Sequence, residues 1–365
     1  MEDLDTLVLR TALGWHTAGL SVVLVTVART WGSSPRPPGS LMAINERGDT
    51  VGSVSGGCIE DELIHRIREE GVHTICADIR PTVLRYGISA EEAHRFGLPC
   101  GGTVELVLEV VSAHSRLDEL LLNCEKRLST KRSLDLRSGH VTLQAGQRDG
   151  GPLLNEDILV TYLGPQARLI VIGASDLSRY LCQMALGLGF EVIVCEPREE
   201  YRASWQLDGV TLTEEMPDDL ILRLQPDART AVIALTHDPK LDDLALIDAL
   251  HSNAFYVGAI GSRRNSEHRR ERLREHFNIA ESALQALRGP AGLYIGSKTP
   301  AEIALSIMAE IVAVKNGIGL LSTAPSTPST SSSPSIPAIS VMVAKPLYEH
   351  QEQILREPKP VIDSQ

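Results

Sequence analysis

The sequence predicts an α/β protein: a C-terminal Rossmann-like parallel sheet joined to an N-terminal domain of mixed α+β type. Three observations predict it. Between residues 167 and 317, short apolar runs alternate with stretches of helical periodicity, the pattern of a doubly wound sheet. Residues 1–150 carry apolar runs separated by turn residues, with isolated helical stretches among them. Between the two, residues 151–166 and the RDG that precedes them are rich in glycine, proline and charge, which suits a linker.

Each element follows from its own pattern. Residues 20–27, apolar but for Ser21 and Thr26, predict a buried strand. Residues 40–44 and 50–54 predict a hairpin about Asn45-Glu46-Arg47-Gly48. After Cys58, Ile59, Leu63, Ile64 and Ile67 fall on one helical face. Residues 73–79 and 103–110 read as strands, and 116–129 as a helix through Leu117, Leu120, Leu121 and Cys124. In the second half, strands over 168–172, 191–195, 230–235 and 255–257 alternate with helices over 176–186, 240–251 and 263–276. Gly187 and Gly189 suit the end of the first of these helices. A last helix over 300–315 opens with Thr299-Pro300-Ala301-Glu302, a capping box with proline at the first helical position.

Composition bounds the function. The chain has 365 residues, enough for two or three domains. Its 35 basic and 47 acidic side chains leave a net charge of −12, which argues against a general nucleic-acid or anionic-membrane binder. No run of 18 apolar residues exists, so no membrane insertion is expected. The start, MEDLDTLVLR, is acidic where a secretory signal is basic. Six unevenly spaced cysteines make no disulfide framework, and a reduced, cytoplasmic protein is expected. Of residues 322–337, 14 of 16 are Ser, Thr or Pro, so 318–365 read as a disordered tail.

Several stretches carry chemistry. Gly32-Ser33-Ser34-Pro35-Arg36-Pro37-Pro38-Gly39-Ser40 follows a strand; Ser34, Gly39 and their neighbours offer backbone donors, and Arg36 suits a phosphate. The competing reading is an ordinary proline-rich loop. Gly52-Ser53-Val54-Ser55-Gly56-Gly57-Cys58 leads from strand to helix, so Ser55, Gly56 and Gly57 have the layout of an anion site. A helix N-terminus also favours the thiolate of Cys58, which could equally be a small buried cysteine beside a tight turn. Pro99-Cys100-Gly101-Gly102 repeats the cysteine–glycine pairing. Two such cysteines facing one pocket could ligate a soft metal, carry a persulfide or form a redox disulfide. Cys76, Cys124, Cys182 and Cys195 lie in apolar patterns and read as core.

In the second half, Gly173-Ala174-Ser175-Asp176 stands where a dinucleotide motif would, with Glu196 some twenty residues on. Ser175 and Ser178 replace the second and third glycines, which weakens NAD(P) binding while keeping the scaffold. His237 and Gly261-Ser262-Arg263 follow two later strands, at the ends where open α/β sheets bind ligands. Arg269, Arg270, Arg272 and Arg274 read as a solvated helix face balanced by Glu267, Glu271 and Glu275. Residues 289–300 form a glycine-rich approach to the last helix and a further candidate anion site. Together these loops suit a phosphorylated, sulfur-bearing cofactor.

In this order, GSSPRPPGS at 32–40, VGSVSGGCIE at 51–60, GLPCGG at 97–102, THDPKLDDLAL at 236–246, YVGAIGSRR at 256–264 and GLYIGSKTPAEIALSIMAEIVA at 292–313 resemble the XdhC/CoxI family of molybdenum-hydroxylase accessory factors. The resemblance spans residues 10–317. It implies a non-catalytic chaperone that binds the molybdenum cofactor (molybdopterin or its dinucleotide form, a pterin dithiolene bearing phosphate). It further implies that the protein supports sulfuration by an L-cysteine desulfurase and delivers the cofactor to a xanthine, aldehyde or carbon-monoxide dehydrogenase apo-enzyme, acting as a homodimer. On that reading Arg36 and the 52–57 loop hold phosphate, and Cys58 and Cys100 sit near the metal or carry sulfur. Gly173, His237 and Arg263 then complete the cleft. Two positions depart from the family pattern: Ser175-Asp176 replaces Gly-His, and Tyr294 replaces an aspartate. The alternatives are an NAD(P)-dependent oxidoreductase and a non-catalytic scaffold between desulfurase and apo-enzyme.

Overall fold

A computed structural model describes residues 4–32, 36–76, 80–87, 102–146 and 151–318. The tail reading of 319–365 lies outside the described residues. The first half is built on an antiparallel sheet in the order β3-β2-β1-β5-β4, from β1 (Val22–Trp31), β2 (Leu41–Asn45), β3 (Thr50–Gly52), β4 (Thr82–Tyr86) and β5 (Thr103–Val110). Its central strand is buried from Val22 to Ala28, with Thr26 its one polar residue there, because both faces are covered. Val23, Val25 and Val27 pack under α2 (Cys58–Glu70) and α3 (Val72–Ile75). Val22 and Leu24 face the opposite way, against α1 (Leu4–Thr17) and α4 (Leu117–Glu125).

Residues 73–79, expected as a strand, begin as helix instead: His73 and Thr74 lie in α3, and 77–79 fall outside the described residues. Val72, Ile75 and Cys76 are the buried positions, and their spacing of three and four matches a helix turned onto the core under α2. Nor is the stretch 151–166 free of structure. It contributes β8 (Leu153–Leu154) and β9 (Ile158–Leu163), which pair with β6 (Thr130–Asp135) and β7 (Val141–Ala145) in an antiparallel sheet of order β7-β6-β9-β8. Polar faces hide these strands from a sequence reading: β6 and β9 alternate buried and open positions along their length.

The second half is a parallel sheet in the order β12-β11-β10-β13-β14-β15. Its strands are β10 (Arg168–Ile172), β11 (Glu191–Cys195), β12 (Val210–Thr213), β13 (Thr230–Ala234), β14 (Tyr256–Ala259) and β15 (Leu287–Arg288). Order reverses between β10 and β13, the switch point of a Rossmann fold. Leu169 and Val171 pack under α5 (Asp176–Gly187) and α11 (Pro300–Lys315). Ile170 and Ile172 pack over α7 (Pro217–Leu224) and α8 (Pro239–His251), beside α9 (Arg263–Phe277). Short helices α6 (Glu199–Arg202) and α10 (Glu281–Ala286) complete the connections.

Arg127 ties the halves together. Its guanidinium grips Asp227 through Nε at 2.7 Å and Nη2 at 3.1 Å, and Nη1 reaches Glu191 at 3.1 Å. Glu191 opens β11 and Asp227 precedes β13, so this joint sits at the amino edge of the parallel sheet, opposite the ends where ligands bind.

Candidate functional site

Three of the motif loops emerge at one end of the first sheet. β1 ends at Trp31, opposite Thr103 at the start of β5; β3 ends at Gly52, opposite Met42 near the start of β2. The chain leaving Trp31 for Arg36, the chain leaving Gly52 for Cys58, and Gly102 entering β5 therefore share that end. Ser34, Cys100 and Gly101 lie outside the described residues. Gly39 turns away from this group, against Pro152, in a groove of about 260 Å³ that it shares with Asp5 and residues 161–163.

The 52–57 loop does hold an anion, and the anion is the chain's own Glu60. Its Oε1 accepts from the amides of Val54 (2.9 Å), Ser55 (2.8 Å) and Gly56 (2.9 Å) and from Ser53 Oγ (2.8 Å). Its Oε2 accepts from Gly57 N (2.9 Å) and from Ser55 Oγ. Burial pushes the Glu60 carboxyl up, but the Ser55, Gly56 and Ser53 hydrogen bonds outweigh it and hold the group far below the usual carboxylate range. The expectation that Ser55, Gly56 and Gly57 offer open amides to a phosphate is thus corrected, because each is engaged within the loop. Physically, a glutamate three residues past the helix cap is the nearest anion to the orphan amides. That spacing is the signal in the sequence that points to Glu60, and the motif reading of the loop misses it.

Arg36 is half-buried and donates from Nε to Ser53 Oγ at 3.1 Å, joining the first motif to the second. Cys58 is the first residue of α2 and its side chain is exposed, which removes the reading of a buried cysteine. The four cysteines read as core are buried. Burial pushes the thiols of Cys76, Cys182 and Cys195 up, to about 11, about 12 and about 12. Among the described residues no group of three or more His, Cys, Asp or Glu is arranged to hold a metal ion.

The second-half residues meet in a crevice of about 460 Å³ at the switch point, lined by residues 173–177 and 235–237 with Arg198, Tyr201, Ile260, Pro300 and Ile303. Gly173 and His237 both face it. At Gly173 the backbone has φ +105°, and a Cβ would lie 2.8 Å from Thr236 Cγ2, so only glycine lets β10 approach the β13 loop this closely. Gly261, Ser262 and Arg263 continue from Ile260 beyond the crevice lining. The Ser262 hydroxyl caps α9 by accepting from Asn265 N at 3.1 Å, and Arg263 is exposed in the first helical turn.

A buried network sets the crevice wall. Asp242 Oδ1 accepts from Thr236 Oγ1 (2.6 Å) and Thr236 N (3.2 Å), while its Oδ2 accepts from Arg269 Nη2 (2.9 Å). Arg269 also donates to Asp243 (3.2 Å) and to the Ile260 carbonyl (3.1 Å). One guanidinium thus fixes the loops after β13 and β14 against α8. Burial pushes the Asp242 carboxyl up against the Thr236 and Arg269 contacts. The reading of a solvated arginine face is corrected here: Arg269 is 6% exposed, and Arg270 donates to the carbonyls of Leu287 and Gly289. These arginines answer groups on other elements rather than the glutamates of their own helix. The signal was two adjacent acids, Asp242 and Asp243, at apolar positions of α8.

The helix N-terminus at Thr299 behaves like the one at Cys58. Glu302 Oε2 accepts the amides of Lys298 (2.8 Å) and Thr299 (2.9 Å), closing the expected capping box from within. The glycine-rich approach is pinned to α11: Glu310 Oε2 accepts from Gly292 N and from the buried Tyr256 hydroxyl, each at 2.7 Å.

With this geometry, the comparisons with known proteins divide along the same two halves. Residues 15–87 match the model of the XdhC and CoxI family, and residues 169–311 match the XdhC Rossmann domain. The chain belongs to the XdhC and CoxI family. This XdhC/CoxI chain is 25% identical to a probable xanthine dehydrogenase subunit of Bacillus subtilis (strain 168), across 82% of this chain and 94% of that one. It is 27% identical to the molybdenum cofactor insertion chaperone PaoD of Escherichia coli (strain K12), across 86% of this chain and 90% of PaoD. Its fold matches the crystal structure of a xanthine dehydrogenase from Bacillus halodurans at TM-score 0.68 and 24% identity, covering 89% of this chain and 98% of that one. Both halves of the fold are therefore shared with that structure.

Proposed function

We propose that this XdhC/CoxI protein binds the molybdenum cofactor, supports its sulfuration and delivers it to a molybdenum hydroxylase of the xanthine, aldehyde or carbon-monoxide dehydrogenase type. The observation that carries the proposal is the likeness to the cofactor insertion chaperone, which runs through both halves of the chain. The end of the first sheet supplies an exposed thiol at Cys58 with Arg36 tied into the same loop, chemistry that suits a soft metal or a transferable sulfur beside a phosphate. Glu60 and residues 53–57 form the rigid turn that presents Cys58. The Rossmann crevice, with Gly173 and His237, supplies the second surface. An apo-enzyme and an L-cysteine desulfurase are the partners this role requires, and a homodimer is the assembly. No described helix is long and apolar enough to cross a membrane.

Cofactor content tests the proposal. The protein is purified without oxygen from a cofactor-producing host, and molybdenum and oxidised-pterin fluorescence are measured together. Near-stoichiometric amounts of both, lost in the Cys58→Ser/Cys100→Ser double variant, are expected. Absence of both, even after adding cofactor to the apo-protein, refutes the carrier role and leaves the scaffold reading.

A further inference from the structure

The crevice carries a second message, about which chemical group it selects. In a dinucleotide-binding sheet, the acid at the end of the second strand accepts hydrogen bonds from the ribose hydroxyls, whereas a nearby arginine accommodates a phosphate on that sugar. Glu196 stands at that place, directly after β11, and is fully buried. All of its acceptor capacity is in use. Oε1 accepts from Arg198 N (3.1 Å) and Arg198 Nε (2.8 Å), and Oε2 from Ala174 N (3.0 Å) and Arg198 Nη2 (2.9 Å). A carboxylate offers about four lone-pair sites, so no place remains for a diol.

Arg198 is held the opposite way. Two of its nitrogens fork onto Glu196, and its guanidinium carbon lies 4.0 Å from the centre of the Tyr201 ring. These contacts fix the plane of the group. Nη1 makes no hydrogen bond among the described residues, and Arg198 lines the crevice. A planar donor, locked in orientation on the residue that lines the cavity, suits an anionic oxygen cluster and not a neutral hydroxyl pair.

We propose that the Rossmann crevice recognises a phosphomonoester through Arg198, with Glu196 and Tyr201 as the residues that position it. The inference rests on the crevice being a ligand-bearing part of the function proposed above. Two sources carry this chemistry: a nucleotide with a phosphate on its ribose, and the terminal phosphate of a cofactor side chain.

Calorimetric titration of the apo-protein with matched pairs tests it: NADP⁺ against NAD⁺, which differ by one ribose phosphate, and ribose 5-phosphate against ribose. At least a ten-fold preference for the phosphorylated member of one pair is expected. A preference within the nucleotide pair alone identifies a nucleotide source; an equal preference in the sugar pair identifies a cofactor-type terminal phosphate. Arg198→Met should abolish the preference. Because that variant leaves the Glu196 carboxylate buried without its partner, Arg198→Met/Glu196→Gln serves as the charge-balanced control and should behave alike. Glu196→Gln alone separates the two modes of recognition. It sets an amide NH2 against N–H donors and releases the Arg198 plane, so it should cut the preference for the phosphorylated member several-fold and leave NAD⁺ binding unchanged, whereas a diol-reading glutamate would make the same change weaken NAD⁺ binding. No preference in either pair, a preference indifferent to both Arg198 variants, or weaker NAD⁺ binding with an intact phosphate preference in Glu196→Gln overturns the inference. Molybdenum and pterin retained by wild type alongside such a result would leave the cofactor role standing; loss of cofactor with an intact phosphate preference would sink the cofactor role alone.

Discussion

Replacing Glu60 by alanine takes one acceptor away from six donors. The amides of Val54 and Ser55 are buried, at 0% and 6% exposure, so solvent cannot readily replace the carboxylate there. Each orphaned buried donor costs ~1–3 kcal/mol. The Gly56 and Gly57 amides are exposed and recover a water partner at little cost. The sum is a loss of about 3 kcal/mol, and for a domain of this size a melting temperature lowered by about 6–12 °C. Glu60→Gln keeps the Oε1 role toward Val54, Ser55 and Gly56 but turns a donor toward Gly57, and should fall between. Acid provides a second reading. The folded Glu60 carboxyl is held below its unfolded value of about 4.3, so its contribution is complete above that pH and is lost as pH falls towards the folded value. Chemical denaturation of wild type and Glu60→Ala from pH 7 to 3 should therefore show two curves that converge as the solution becomes acidic. Equal stability at pH 7, or a gap that widens on acidification, would refute the argument that Glu60 is the resident anion of this loop.

Other predictions follow from single contacts. Asp242→Ala leaves Arg269 buried without its main partner and should cost about 3–5 kcal/mol in denaturant titration, with proteolytic sensitivity rising at the 236–240 loop. Tyr256→Phe removes one hydrogen bond to a charged acceptor without opening a cavity, and should cost ~1.5–3 kcal/mol by the same measurement. Gly292→Ala places a Cβ 2.3 Å from Ser306 Oγ at φ +104°, so the variant should melt several degrees lower; an unchanged melting curve would mean that this loop does not pack on α11 as described. Thiol titration at pH 8 should lose one fast-reacting equivalent in Cys58→Ser and none in Cys182→Ser, because the Cys182 thiol is buried and pushed up to about 12.

By itself the sequence determined the four inner strands of the Rossmann half, β10, β11, β13 and β14, but not the edge strands β12 and β15 nor α7. The inner parallel strands are buried on both faces and read as apolar runs, and the first and last helices carry their own stop or cap: Gly189 after α5, Thr299-Pro300 with Glu302 before α11. It also determined which cysteines are core and which one stands at a helix start, since apolar spacing and flanking glycines are local signals. Local signals failed where burial comes from distant chain. The β6–β9 sheet alternates polar and apolar residues in short strands, and Val72–Ile75 took helical form because α2 and the first sheet lie beneath them. Only the tertiary structure decided which charges are partners. Glu60, rather than a ligand, fills the 53–57 loop. Arg269 turns inward to Asp242 and Asp243 instead of outward to its own helix, and Glu196 is saturated by Arg198 and the Ala174 amide. The reason is physical: a charge pairs with whatever the fold brings within about 3 Å, and that distance is set by chain packing that no local window contains.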